Sequence, residues 1–210
     1  MKKLLSLILI LATIFLTVGC VVSPEENEKM SRGTIDGNVY MNDVLQIKFT
    51  KPESWVYYTD AEIADLVDIS VEMLEGDFEY AIENNVSVYD MMVADTSTNT
   101  NINVGYENLR KTFSSNITVE QYIEALKNQM GQVSSMTVTF PDTYDTVMLG
   151  KTEFTRVVCK TKMYTTNMTQ VYYLRKVGAC MAYIIVTITS GYTVDSIEAM
   201  FENYTAPESP

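Results

Sequence analysis

Residues 181–188 read Met-Ala-Tyr-Ile-Ile-Val-Thr-Ile. In a strand, successive side chains point to opposite faces. One alternate set is Met181, Tyr183 and Ile185; the other is Ala182, Ile184, Val186 and Ile188. Both sets are mainly apolar. Such a strand is buried on both faces and needs a layer above and below its sheet. The expected architecture is therefore a sheet sandwiched by helices, not a β-sandwich.

The stretch belongs to a run of three long strands, 152–164, 170–177 and 179–189. A TTNM turn and Gly178 separate them, so a meander is expected. Upstream, MTVTF and YDTVML read as short strands either side of Pro141 and Asp142. NVSVYDMMVAD and NINVGYENL read as two strands around the polar turn TSTNT. Residues 44–50 and 55–58 give two more short strands, broken at Pro52.

Three segments carry helical spacing. In 60–75, Ile63, Leu66, Val67, Val71 and Leu74 recur on one face, with Asp60 as expected N-cap and Gly76 as stop. In 118–133, Thr118 caps a helix that turns Tyr122, Ile123, Leu126 and Met130 inward. In 193–204, Thr193 caps a terminal helix with Ile197, Met200 and Phe201 inward. Residues 77–85 fit neither pattern cleanly. The fold class is α/β of the α+β type, with a predominantly antiparallel sheet sandwiched by helices.

The chain begins MKKLLSLILILATIFLTVGC. Lys2 and Lys3 precede an apolar run over 4–18. That run is about 15 residues, short of the ~20 needed to span a membrane core. A basic start and a short apolar core read as a secretory signal. Its end, Thr17-Val18-Gly19-Cys20, resembles the lipobox of bacterial lipoproteins. Thr17 stands where that family usually has Leu; Leu16 lies one place earlier. The resemblance implies a lipid on Cys20, which becomes the new N-terminus. The plain alternative is an ordinary secretory signal with an incidental cysteine. The expected organisation is a signal peptide at 1–19, a lipidated cysteine and flexible tether at 20–37, one globular domain at 38–205 and a disordered tail at 206–210.

Fifteen Lys and Arg stand against 27 Asp and Glu, a formal charge of −12. Nucleic acid binding needs clustered cations, so a chain this acidic is not expected to bind it. Histidine is absent. That excludes Ser–His–Asp and Cys–His catalysis and His-ligated zinc within this chain. No GxxxxGK[ST] loop and no GxGxxG after a strand is present. No cofactor, metal site or catalytic residue is expected.

Four groups of residues remain as candidates. Glu62, Asp65, Asp68, Glu72 and Glu75 form an acidic stripe opposite the apolar face of the first helix. It suits a basic partner or a weak cation site; a solvated outer face is the plain alternative. Arg156, Lys160 and Lys162 share one parity of a strand. That basic face suits anionic polymers, headgroups or a protein partner, or pairing with the acidic stripe; dispersed surface charge is the plain alternative. Tyr172, Tyr173 and Tyr183, with Met163 and Met181 nearby, suit the lining of a small-ligand pocket, or ordinary core. Asp95-x-Ser97-x-Asn99-x-Asn101 hints at a calcium loop, but Thr100 and Tyr106 stand where Gly and Glu are needed, so a hairpin turn is expected. Cys159 and Cys180 fall on the first and third strands of the meander. Those strands are roughly 9–10 Å apart, too far for a disulfide. Two buried free thiols are expected; a different strand order would reopen the bridge.

The order of elements, with the strand–Pro–x–x–Trp stretch from Phe49 to Trp55, resembles the Mog1/PsbP-like fold. It is similar to the form found in lipoproteins of Gram-positive anaerobes. The resemblance covers about residues 38–204 and implies an α/β/α sandwich that serves as a binding or assembly module without catalysis. The expectation is a lipoprotein on the outer face of the cytoplasmic membrane of a bacterium, binding an envelope protein. The alternatives are a small-ligand receptor domain and a His-free hydrolase using paired carboxylates.

Overall fold

The three long strands form the meander that the sequence predicts. The computed structural model describes residues 30–67, 71, 74 and 76–205. The chain runs β1 (Thr34–Asp36), β2 (Val39–Asn42), β3 (Ile47–Thr50), β4 (Trp55–Tyr57), α1 (Asp60–Val67), α2 (Phe78–Asn84), β5 (Ser87–Asp95) and β6 (Thr100–Asn108). It continues with α3 (Leu109–Thr112), α4 (Val119–Met130), β7 (Met136–Thr139), β8 (Asp145–Leu149), β9 (Thr152–Met163), β10 (Thr166–Val177), β11 (Cys180–Ile188), α5 (Val194–Glu198) and β12 (Phe201–Asn203).

An eight-stranded sheet has the order β4-β5-β6-β11-β10-β9-β7, with β8 also on β9. A second sheet has the order β1-β2-β3-β12. Every pairing is antiparallel. The fold is thus of the expected mixed α/β class with antiparallel sheet. Strand β11 sits between β6 and β10, and all its residues but Ile185 are buried. The two-residue turn before it starts at Gly178 with φ +53°, a conformation glycine adopts without cost.

Neighbouring residues of β6 reveal the two covering layers. Tyr106 Oη accepts from Asn42 Nδ2 of the small sheet at 2.9 Å. Glu107, one residue on, accepts from Tyr122 Oη of α4 at 2.5 Å. So α4 covers one face, and the four-stranded sheet covers much of the other. On that second face α2 sets Phe78 5.8 Å from the Tyr106 ring. The sandwich therefore has a sheet in one covering layer, where helices alone were expected.

Helix α4 starts as predicted: Thr118 and Gln121 form a reciprocal capping box, and Tyr122, Ile123, Leu126 and Met130 are buried. The first helix is capped differently. Thr59 Oγ1 accepts from Glu62 N at 3.3 Å and Thr59 N donates to Glu62 Oε2 at 2.8 Å. Asp60 sits in the first turn instead, and its carboxylate pairs with Arg32. The terminal segment is helical only to Glu198; β12 then pairs with β3. The Phe201 ring lies 5.1 Å from Phe49, and this packing outweighs the helical spacing.

The tether expected over 20–37 ends sooner. Met30 is buried, Gly33 N donates to both oxygens of Asp90 at 3.0 and 3.1 Å, and β1 pairs with β2. Residues 30–37 belong to the fold. The signal peptide, Cys20 and the tail at 206–210 lie outside the described residues. Among the described residues, no helix is long and apolar enough to cross a membrane.

Candidate functional site

Strand β9 carries the basic face. It pairs with β10 on its inner side, and with β8 and then β7 on its outer side. Arg156, Lys160 and Lys162 project to the face that Tyr106 and Tyr173 share. The structure separates them. Arg156 is engaged within the fold: its guanidinium pairs with Asp145 of β8, and its Nη1 donates to Glu198 Oε1 of α5 at 2.8 Å. Glu198 Oε1 also accepts from Tyr173 Oη at 2.9 Å. The guanidinium beside Asp145 holds that carboxyl below its usual range.

Lys160 and Lys162 stand free of this network. Both are exposed, and among the described residues neither has a carboxylate partner. Register places Thr139, Lys160, Thr169 and Ile188 in one cross-strand row, and Thr137, Lys162 and Asn167 in the next. These rows floor an open groove of about 640 Å³. Thr189, Ser190 and Tyr192 form its rim. Tyr192 is fixed there, because its Oη accepts from Trp55 Nε1 at 2.7 Å and donates to Asp95 Oδ2 at 3.2 Å. Two ammonium groups among hydroxyls and an amide make a surface suited to anions.

The other predicted sites fall elsewhere. Tyr172 and Tyr173 are consecutive on β10 and point to opposite faces. Tyr172 Oη reaches Met130 Sδ at 3.7 Å, Tyr173 serves Glu198, and Tyr183 Oη lies 2.8 Å from Ser87 Oγ. All three are buried core, as are Met163 and Met181, which agrees with the ordinary-core alternative. Of the acidic stripe, Glu62 closes the α1 cap and Asp65 is exposed; Asp68, Glu72 and Glu75 lie outside the described residues. Asp95 closes the hairpin turn, with Oδ1 accepting from Ser97 N at 2.9 Å. Cys159 and Cys180 are free and buried. Among the described residues, no group of three or more His, Cys, Asp or Glu could hold a metal.

Two buried carboxylates were not singled out by sequence. Asp90 sits where β5 bulges between Tyr89 and Met91. It accepts from Tyr40 Oη at 2.6 Å and Asn42 Nδ2 at 2.7 Å, with Arg32 Nε 3.6 Å away. Glu107 takes the Tyr122 hydroxyl on the other face. Burial raises both carboxyls above their usual range, against the hydrogen bonds that lower them. A carboxylate pair in glycoside-type hydrolysis needs both groups flanking one bond. Asp90 and Glu107 lie on opposite faces of the sheet and cannot flank one. A further cavity, about 40 Å³, is bounded by Met30, Asn108, Gly178 and Cys180 among others, at the sheet end away from the lysine groove.

Comparison with solved structures gives several likenesses, among them the following two. A protein from Bacteroides thetaiotaomicron is 11% identical with a TM-score of 0.42; the match covers 81% of this chain and half of that one. The cyanobacterial PsbP (CyanoP) from Synechocystis sp. PCC 6803 is 9% identical with a TM-score of 0.47; the match covers 84% of this chain and 99% of that one. No family model and no curated protein matches the chain.

Proposed function

We propose that this chain is a non-catalytic binding module, held by a lipid on Cys20 at the outer face of a bacterial cytoplasmic membrane. It engages another envelope protein through the Lys160/Lys162 groove. One observation carries the reading: two exposed lysines, without carboxylate partners among the described residues, stand in an open polar groove of a chain with 27 acids and 15 bases. Arg32, Lys48, Lys127 and Arg156 have acidic partners; the exposed Lys111 and Lys151 have none among the described residues, but they do not line this groove. Two adjacent lysines in an open groove of an acidic protein attract acidic surfaces to that groove.

The anchor rests on the resemblance of residues 17–20 to a lipobox. Two or more acyl chains hold a protein firmly at a bilayer, where one gives marginal binding.

The test is site-specific photo-crosslinking in the native envelope from a reactive side chain at Ser190, on the groove rim. A discrete adduct with one envelope protein, lost when Lys160 and Lys162 are both replaced by Ala, is expected. An unchanged adduct pattern in that variant removes the groove from the function.

A further inference from the structure

The groove is continuous with an unpaired strand edge. Among the described residues, the eight-stranded sheet ends at β7, which pairs with β9 on one side only. Its outer edge presents backbone N–H and C=O groups to any strand that comes alongside. Thr137 and Thr139 of β7 are exposed and point into the groove, each directly beside Lys162 and Lys160.

We infer that the β7 edge takes an extended acidic segment of the partner protein as an added strand, its alternate carboxylates meeting Lys160 and Lys162. This rests on the binding-module reading and names the partner's chemistry. An added strand lies ~4.8 Å from β7, and its same-face side chains repeat every ~6.7 Å. Lys160 and Lys162 are two residues apart on β9 and repeat at that same interval. Threonine is small, so each lysine crosses β7 over the threonine beside it and reaches the next strand. Main-chain hydrogen bonds would give affinity and the two lysines would select acids. The edge is only four residues long, which limits recognition to two alternate positions.

The groove also lies far from Met30, the first described residue. Asn167 lines the groove, while Val177 borders the cavity that Met30 also lines. Ten residues of β10 separate them, roughly 35 Å. Headgroups offer no backbone ladder to the open β7 edge, so an extended acidic peptide segment fits this site better than a lipid surface.

The test uses the full chain in detergent and a short fluorescein-labelled peptide alternating Glu and Thr. Saturable anisotropy binding is expected. Replacing Lys160 and Lys162 together with Ala weakens it about fivefold, since exposed pairs are individually modest. Lys111→Ala, at the other end of the sheet, leaves it unchanged. A peptide of equal charge interrupted by prolines, which cannot complete a ladder, binds much more weakly. Equal binding of the proline peptide overturns strand addition. No peptide binding, with lysine-dependent binding to phosphatidylglycerol vesicles, overturns the acidic segment in favour of a lipid surface. If a groove adduct forms in the envelope but neither peptide binds, the binding-module reading stands and this inference falls.

Discussion

Tyr183 lies across Gly105, and the glycine makes the room. A Cβ at position 105 would stand 2.6 Å from Tyr183 Cζ and 2.7 Å from the carbonyl oxygen of Val88. Both neighbours are held: Tyr183 Oη contacts Ser87 Oγ, and the two residues belong to strands on either side of β6. Gly105→Ala is expected to cost about 1–3 kcal/mol by overpacking. In urea unfolding, Gly105→Ala with Tyr183→Leu should lose less than the sum of the single changes, because the clash is shared. Strict additivity would break the link between the two positions.

Glu107 gives the fold a pH dependence of predictable sign. Burial raises its folded value above the ordinary 4.5, although the Tyr122 hydroxyl pulls the other way. An unfolded carboxyl ionises first as pH rises, which favours unfolding. The contribution of Glu107 is fully present below 4.5 and is lost as pH climbs through the higher folded value. Glu107→Gln removes this titration. Its urea midpoint should therefore gain on the parent protein as pH rises from 4 toward neutrality. Parallel profiles would show that burial does not raise the folded value of Glu107 above its unfolded one.

Arg156 joins β8 to α5 through Asp145 and Glu198. A lysine cannot reproduce its planar fork to both carboxylates. Arg156→Lys should cost about 1 kcal/mol, the range of part-exposed pairs. The loss should be local. Hydrogen exchange at the β12 amides, just beyond α5, should quicken while β10 and β11 stay protected. Uniform quickening across the sheet would place the arginine in global stability instead.

Cys159 faces Gln170 and Cys180 faces Val177 across β10. Those partners are seven residues apart, roughly 23 Å along the strand, so the thiols cannot bridge without rebuilding the sheet. Burial pushes Cys159 up to about 12 and Cys180 up to about 11. Iodoacetamide should leave both unmodified in the native protein and modify both in denaturant without reductant. A requirement for reductant would mean a disulfide.

Cys20→Ala should move the protein from the membrane fraction to the soluble fraction of its own cells. Retention in the membrane would leave the lipid anchor without support.

Much of the fold was legible because its signals were local. Two-faced apolar character marked β11, and Thr118 with four inward residues marked α4. The misreadings have a common physical cause. Residues 193–204 carry helical spacing, yet the Phe49 surface recruits Phe201 into a strand; no local window contains both phenylalanines. Asp60 looks like a cap, but Thr59 takes that role and Arg32, distant in sequence, takes Asp60. Asp90 was invisible for a similar reason: the bulge that turns it toward Tyr40 and Asn42 is a property of paired strands. Of the candidate groove, Lys160 and Lys162 were readable as one strand face. Their separation from Arg156 was not, since it depends on where Asp145 and Glu198 arrive. For the tyrosines, composition left pocket and core both open, because it does not say which face of a sheet a ring occupies.

Strand β12 lays Phe201, Glu202 and Asn203 against Phe49, Lys48 and Ile47. Thr50 N donates to Met200 O at 3.0 Å, and Lys48 Nζ meets Glu202 Oε2 at 2.9 Å. The small sheet thus draws one edge from the first fifty residues and the other from the last ten. Closing a loop of that length is entropically slow, and contacts so distant in sequence lower folding rates. Residues as far as Asn203 must be free before this sheet can close. Until then Tyr40, Ile47 and Phe49 lack their final cover, and the growing chain is at its most vulnerable to misassociation and proteolysis.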